Sequence, residues 1–313
     1  MTDGPGTSPV FDTVALVGLG LIGSSLARGI RQRGLARRIV ACVRPGPTAD
    51  KVRELGLADD VHDTAAQGVA TADLVILCTP VGAYAAIARE MGASLKAGAT
   101  VSDVGSVKGK VIGDIAPHLP DGVHFVPAHP VAGTEQSGPE AGFAELFDNR
   151  WCILTPPPGA NEGAVAKVRA FWEGLGSNVE MMDAAHHDLV LAITSHVPHL
   201  IAYNIVGTAR HLETVTDKEV IKYSAGGFRD FTRIAASDPT MWRDVFLANK
   251  DAVLEMLGRF TEDLTALQRA IRFGDGDALF SLFTHTRAIR REIIDAGQET
   301  GKADFGRNNG KPL

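Results

Sequence analysis

Gly18-Leu19-Gly20-Leu21-Ile22-Gly23, preceded by the β-branched run Thr13–Val17 and followed by Ser24-Ser25-Leu26-Ala27, decides the fold. Three glycines at this spacing, between a strand and a helix, have separate tasks. Gly18 makes the tight turn, Gly20 lets a pyrophosphate approach the backbone, and Gly23 lets helix and strand pack closely. The helix N-terminus then presents unpaired N–H groups to the phosphates. A dinucleotide is the expected ligand, held by Gly18, Gly20, Leu21, Ile22 and Gly23.

Outward from this stretch, short β-branched runs alternate with helical patterns. Strands are expected at Thr13–Val17, Arg38–Val43, Asp73–Leu77, Thr100–Asp103, Val123–Val126, Trp151–Leu154 and Asn178–Met181. Helices are expected at Ser24–Arg33, Val81–Met91 and Glu162–Leu175. This alternation implies right-handed βαβ crossovers. The fold class is α/β: a Rossmann-type, doubly wound, mainly parallel sheet followed by an all-helical dimerisation domain. The second strand ends Ala41-Cys42-Val43-Arg44-Pro45, with Val43 where an NAD site usually has an acid. Arg44 can pair with a 2′-phosphate, so the reading leans to NADP and leaves NAD open. Thr79 and Pro80, leaving the strand Asp73–Leu77, complete the expected cofactor-binding set.

After Asp183 strand signals cease. Val253, Leu257, Phe260, Leu264, Leu267 and Ile271 recur at steps of three and four, and Leu279, Leu282, Phe283, Thr286, Ile289 and Ile293 form a second stripe. Asp238-Pro239 is expected to cap the long helix carrying the first stripe. Domains are therefore expected at 1–183, with a loose leader over about 1–10, and at 184–313, ending in a polar tail from about Lys302. So small a helical domain is expected to pair with a second copy.

The 313 residues, 45 % apolar and 22 % charged, suit a globular chain of about two domains. A net charge of −6 without a basic run argues against nucleic acid. No uninterrupted apolar run approaches the ~18 residues of a membrane helix, and the N-terminus lacks a signal-peptide core. Cys42, Cys78 and Cys152 lie far apart in apolar runs, which suits buried thiols in a reducing cytoplasm.

The chemistry concentrates in four motifs. His129-Pro130-Val131-Ala132-Gly133-Thr134-Glu135-Gln136-Ser137-Gly138 follows a strand end, the rim where open parallel sheets bind ligands. His129 is placed there as a general base. Asp103-Val104-Gly105-Ser106-Val107-Lys108 reaches the same rim, and Ser106 is positioned to bond the same substrate hydroxyl. Ser195-His196-Val197-Pro198-His199 interrupts an apolar helix. His196 and His199 stand at i, i+3, but with no acid at matching spacing they read as a polar pocket wall, kinked at Pro198, and no metal is expected. In Gly226-Gly227-Phe228-Arg229-Asp230-Phe231-Thr232-Arg233, Arg233 can present its fork to a carboxylate while Asp230 orients it. Against each stands a plainer reading: loop caps for His129 and Ser106, a solvated Arg233, a core Trp242.

Together GLGLIGSS at Gly18–Ser25, DVGSVK at Asp103–Lys108, HPVAGTEQSG at His129–Gly138, SHVPH at Ser195–His199 and GGFRDFTRIAASDPTMW at Gly226–Trp242 resemble the prephenate/arogenate (cyclohexadienyl) dehydrogenase family. The match runs in the family's order from about residue 12 to 300. The resemblance implies oxidative decarboxylation in tyrosine biosynthesis with NAD(P)+, and dimerisation through the helical domain. It implies that His129 takes the ring hydroxyl proton, that Ser106 orients this hydroxyl and His129, and that His199 and Arg233 bind substrate. Asp230, Trp242, Thr134 and Glu135 correspond to supporting pocket residues. Two other readings remain: a small β-hydroxyacid dehydrogenase, which would rely on a lysine in the helical region, and an NAD(P)-sensing regulator without turnover.

Overall fold

A computed structural model describes residues 9–210 and 225–295. Six strands form a parallel sheet in the order β3-β2-β1-β4-β5-β6: β1 Phe11–Val17, β2 Ala36–Cys42, β3 Asp60–His62, β4 Leu74–Leu77, β5 Thr100–Asp103 and β6 His124–Phe125. This is the dinucleotide-binding strand order, reversing direction between β1 and β4. Both faces of β1 and β4 are buried. Val14, Leu16, Leu74 and Ile76 pack into one core with Phe147, Phe171 and Trp172, while Ala15, Val17, Val75 and Leu77 pack into the other with Tyr84 and Met91. Side chains alternate across a strand, so a strand covered on both sides must be apolar throughout.

The expected single sheet is in fact two. β7 Ala128–Pro130, β8 Trp151–Leu154 and β9 Asn178–Met181 make a separate sheet, with β7 antiparallel to β8 and β8 parallel to β9. His129 therefore lies on a short strand opposite Ile153, and not in a loop. The strand expected through Val126 is only the two residues of β6.

Helices α1 Leu21–Arg33, α2 Pro47–Glu54, α3 Ala65–Val69, α4 Tyr84–Met91, α5 Gly109–Ile115 and α6 Glu162–Gly174 accompany the strands. From Asp183, whose carboxylate caps the next helix by accepting from the Ala185 and His186 N–H groups, every described element is helical. α7 Ala184–Leu191 runs through a π-helical turn, Ala192–His196, into α8 Val197–Arg210. The irregularity expected at Pro198 thus falls just before it, and π-turns widen a helix where side chains serve a site. By length and hydropathy Ala184–Arg210 would cross a bilayer, yet His187, Asp188 and His196 point into the polar network described below.

α9 Gly226–Thr232 precedes α10 Pro239–Ala248, α11 Lys250–Phe273 and α12 Gly276–Asp295. Asp238 caps α10 by accepting from Met241 N–H. The helix it starts is ten residues long, because Asn249 (φ −108°, ψ 33°) ends it before α11, which carries the apolar stripe. The compact units part at Lys250–Asp251, well after the change of character at Asp183. The tail from Lys302, and the leader through residue 8, lie outside the described residues.

Candidate active site

At the β1–β4 crossover, Gly18 has φ +90°, and a Cβ there would stand 2.7 Å from Thr79 Cγ2. A Cβ on Gly23 would meet the Gly18 carbonyl oxygen at 2.2 Å, an impossible approach, whereas a Cβ on Gly20 would meet nothing within 4 Å. The space beyond Gly20 is open to a ligand's phosphates. No side chain caps α1, no acid lies in its first turn, and the buried Thr79 Oγ1 has no protein partner. Free N–H donors, an orphaned hydroxyl and the crossover crevice fit a dinucleotide pyrophosphate. Pro80 follows at the exposed rim. Arg44 is exposed and forms no ion pair among the described residues, and Val43 is buried.

His129 is only 6 % exposed. Its Nδ1 lies 2.8 Å from His187 Nε2, and His187 Nδ1 lies 2.8 Å from Asp188 Oδ1. Asp188 also accepts from the N–H groups of Lys108 (2.7 Å) and Gly109 (2.8 Å), so from α7 it caps α5. Burial raises the Asp188 carboxyl, but the hydrogen bonds from His187, Gly109 and Lys108 outweigh it and hold it below its usual range. An ionised Asp188 can only accept, which fixes the chain. His187 donates from Nδ1, its bare Nε2 accepts from His129 Nδ1–H, and Nε2 is left as the nitrogen of His129 able to take a proton. Burial keeps His129 well below its ordinary value, helped by the positive charge of Lys108.

Lys108 is wholly buried. Its Nζ donates to Asp103 Oδ2 and to the Ala128 carbonyl, each at 2.6 Å, and Asp103 accepts in turn from the N–H groups of Gly105 and Ala128. Burial raises Asp103 and lowers Lys108, and their contact opposes both shifts. The pair ties the end of β5 to the start of β7 beside His129. Asn249 Nδ2 donates to the Asp188 carbonyl at 2.8 Å and lies 3.1 Å from His196 Nδ1. Burial holds His196 down at about 4, and the main-chain oxygen of Ser106 faces its ring.

His199 stacks on Trp242 with centroids 3.7 Å apart, and His196 meets the same indole edge-on. Trp242 is buried with no partner for its Nε1. Burial lowers His199, and the nearby Arg233 charge lowers it further. Arg233 Nη1 donates to Glu135 Oε2 at 3.1 Å. Asp230 does not orient it: exposed, Asp230 accepts from Arg229 Nε. Thr134 Oγ1 accepts from the Gln136 N–H, shaping the turn after β7. The structure thus gathers His129, His196, His199, Trp242, Arg233 and Glu135, with the main chain of Ser106 beside His196, and leaves Asp230 outside. His187, Asp188, Lys108 and Asn249 were not expected. Their one sequence signal is the pair His187-Asp188 inside a helix otherwise almost wholly apolar.

Two family models, for the nucleotide-binding and the dimerization domain of prephenate dehydrogenase, match residues 26–181 and 183–285. The chain is 42 % identical to the cyclohexadienyl dehydrogenase of Zymomonas mobilis, covering 90 % of this chain and 96 % of that one. It belongs to the prephenate dehydrogenase family. The Bacillus subtilis prephenate dehydrogenase is 35 % identical over 89 % of this chain and 75 % of its own. The Aquifex aeolicus prephenate dehydrogenase, solved with hydroxyphenyl propionate and NAD+, superposes with a TM-score of 0.83 at 36 % identity, covering 90 % of this chain and 98 % of that chain. Family membership and the crevice at Gly18–Gly23 make this an oxidoreductase that works with a nicotinamide cofactor.

Proposed function

We propose that this enzyme oxidatively decarboxylates prephenate, or its amino counterpart arogenate, to the corresponding 4-hydroxyphenyl product in tyrosine biosynthesis. The observation that carries the reading is the tautomer imposed on His129, whose Nε2 is left free to accept a hydroxyl proton. The nicotinamide, when bound, supplies the hydride acceptor. As hydride leaves the ring carbon bearing the hydroxyl, His129 takes the hydroxyl proton and that carbon becomes a carbonyl. The bond to the ring carboxylate then breaks and CO2 departs. Its electron pair aromatises the ring, and the oxygen recovers its proton. In this scheme Ser106 orients the hydroxyl, Arg233 binds a carboxylate as a fork, and His199 and Trp242 form the wall against which the substrate lies.

Arg44 at the end of β2, without an acid beside it, supports use of NADP+ alongside NAD+. Homodimerisation is supported by the matched dimerization-domain model and by apolar residues left at the surface of a single chain. Leu264, Ile271, Phe280, Phe283, Ile289 and Ile293 are all more than 40 % exposed. Three free thiols, those of Cys42 and Cys152 buried, support a reducing, cytoplasmic setting. Steady-state reduction of NAD+ and of NADP+ with prephenate and with arogenate tests the reading: turnover with at least one pair is expected, and none with any pair overturns it.

A further inference from the structure

In the reaction above, a proton leaves the hydroxyl and returns to the same oxygen, so it must rest on the protein in between. Both imidazoles are buried beside Lys108, but among the described residues His129 has no carboxylate against it, which makes it a poor resting place. His187 is a better one. Its Nε2 lies 2.8 Å from His129 Nδ1, and its Nδ1 lies 2.8 Å from a carboxylate that two main-chain N–H groups hold ionised. We propose that His187 and Asp188 form a proton reservoir for His129. When Nε2 of His129 takes the substrate proton, the Nδ1 proton passes to His187 Nε2, and the positive charge rests against Asp188. On aromatisation both transfers reverse, so no net proton is released. Two rings nearly perpendicular to one another, at 74°, meet nitrogen to nitrogen as such a transfer requires.

The charged and titratable groups facing the His129–His187 pair come from four elements. Asp103 and Lys108 come from the end of β5 and its loop, Asp188 from α7, and His196 from the π-turn, with the Cys152 thiol on β8 nearby. Among them only Asp188 hydrogen-bonds to His187. His187 is therefore a positioning and relay residue that acts through His129 and does not itself touch substrate.

The proposal rests on His129 being the base, and its test keeps the two apart. His187→Gln retains an acceptor for His129 Nδ1–H, so the tautomer survives, but the amide cannot take the proton. With prephenate and the nicotinamide cofactor, its plateau kcat is expected to fall on the order of 10–100-fold with KM within about threefold. The acid limb of its kcat/KM profile should move to lower pH by roughly one unit, because the site that binds the proton is gone. Asp188→Asn should move the limb the same way by removing the charge. A purely structural role would lower melting temperature and rate without moving the limb. An unmoved limb, or wild-type plateau turnover, in His187→Gln overturns the reservoir while leaving the base in place. Wild-type turnover in His129→Gln overturns the base itself. Should both relay variants misfold, imidazole 15N shifts of the wild-type enzyme decide. His129 and His187 must both carry their proton on Nδ1, and an Nε2–H form of His187 refutes the relay.

Discussion

Arg233 and Glu135, 98 residues apart in sequence, join across the site through one charged hydrogen bond of 3.1 Å. Both are partly buried. The guanidinium is thereby held in place before any substrate carboxylate arrives. A carboxylate is charged in the ground state and in the transition state alike, so losing Arg233 removes mainly uniform binding. Arg233→Ala should raise KM for prephenate by an amount equivalent to about 1.5–3 kcal/mol, with a smaller fall in kcat. Asp230→Ala, which alters only an exposed pair with Arg229, should leave both unchanged. Steady-state kinetics of the two variants checks the contrast, and an unmoved KM in Arg233→Ala would place the carboxylate elsewhere.

His129 should show the opposite pattern. His129→Asn is expected to lower kcat by a factor on the order of 10²–10⁴ while KM and cofactor affinity stay near wild type. Initial rates combined with cofactor titration by fluorescence separate the two effects.

The three fingerprint glycines should fail in different ways. Gly23→Ala forces a methyl against the Gly18 carbonyl, so it should cost both stability and cofactor binding. Gly20→Ala meets no protein atom and should leave the melting temperature unchanged, while cofactor affinity drops about tenfold or more because the methyl occupies space meant for phosphate. Thermal melts run beside cofactor titrations distinguish them.

Acid should unfold the protein through its buried imidazoles. His129, His187 and His196 all sit below their ordinary value, chiefly through burial, His196 at about 4. In the unfolded chain they protonate near pH 6.5, so below that pH the unfolded state binds more protons than the folded state and stability falls with pH. From His196 alone the loss between pH 6.5 and pH 4 is on the order of 3 kcal/mol. Urea titrations across this range should show the midpoint falling as pH falls, and less steeply in His196→Asn.

Light scattering at micromolar concentration should give the mass of two chains. Replacing Phe280 and Phe283, 74 % and 57 % exposed in the single chain, with Asp should shift that mass toward one chain.

Most of the nucleotide half was legible from periodicity. β5, β8 and β9 begin and end at the residues expected of them. β3 is not legible in the sequence because Asp60-Val61-His62 is a three-residue, half-buried edge strand with no apolar signal. Nor is β7, because it is three residues long and ends in Pro130, which weakens any strand reading. The second sheet was invisible for a related reason: a run of β-branched residues announces a strand but not its partner. In the site, His129 and Arg233 were recoverable from motif and charge. The link to Glu135 joins elements far apart in the chain. The role of Asp188 is not legible in the sequence, because its partners are its neighbour His187 and the distant loop at Lys108.

Cys42, Cys78 and Cys152 stand at the end of β2, just past β4 and within β8, and burial suppresses the thiolate of each, Cys42 up to about 12. Only the thiolate reacts with alkylating reagents, so each sulfur reacts slowly until the backbone around it opens to water. The chain thus carries three built-in clocks of local opening. Cys42 and Cys78 time the two flanks of the nucleotide crevice, and Cys152 times the strand that pairs with His129's own.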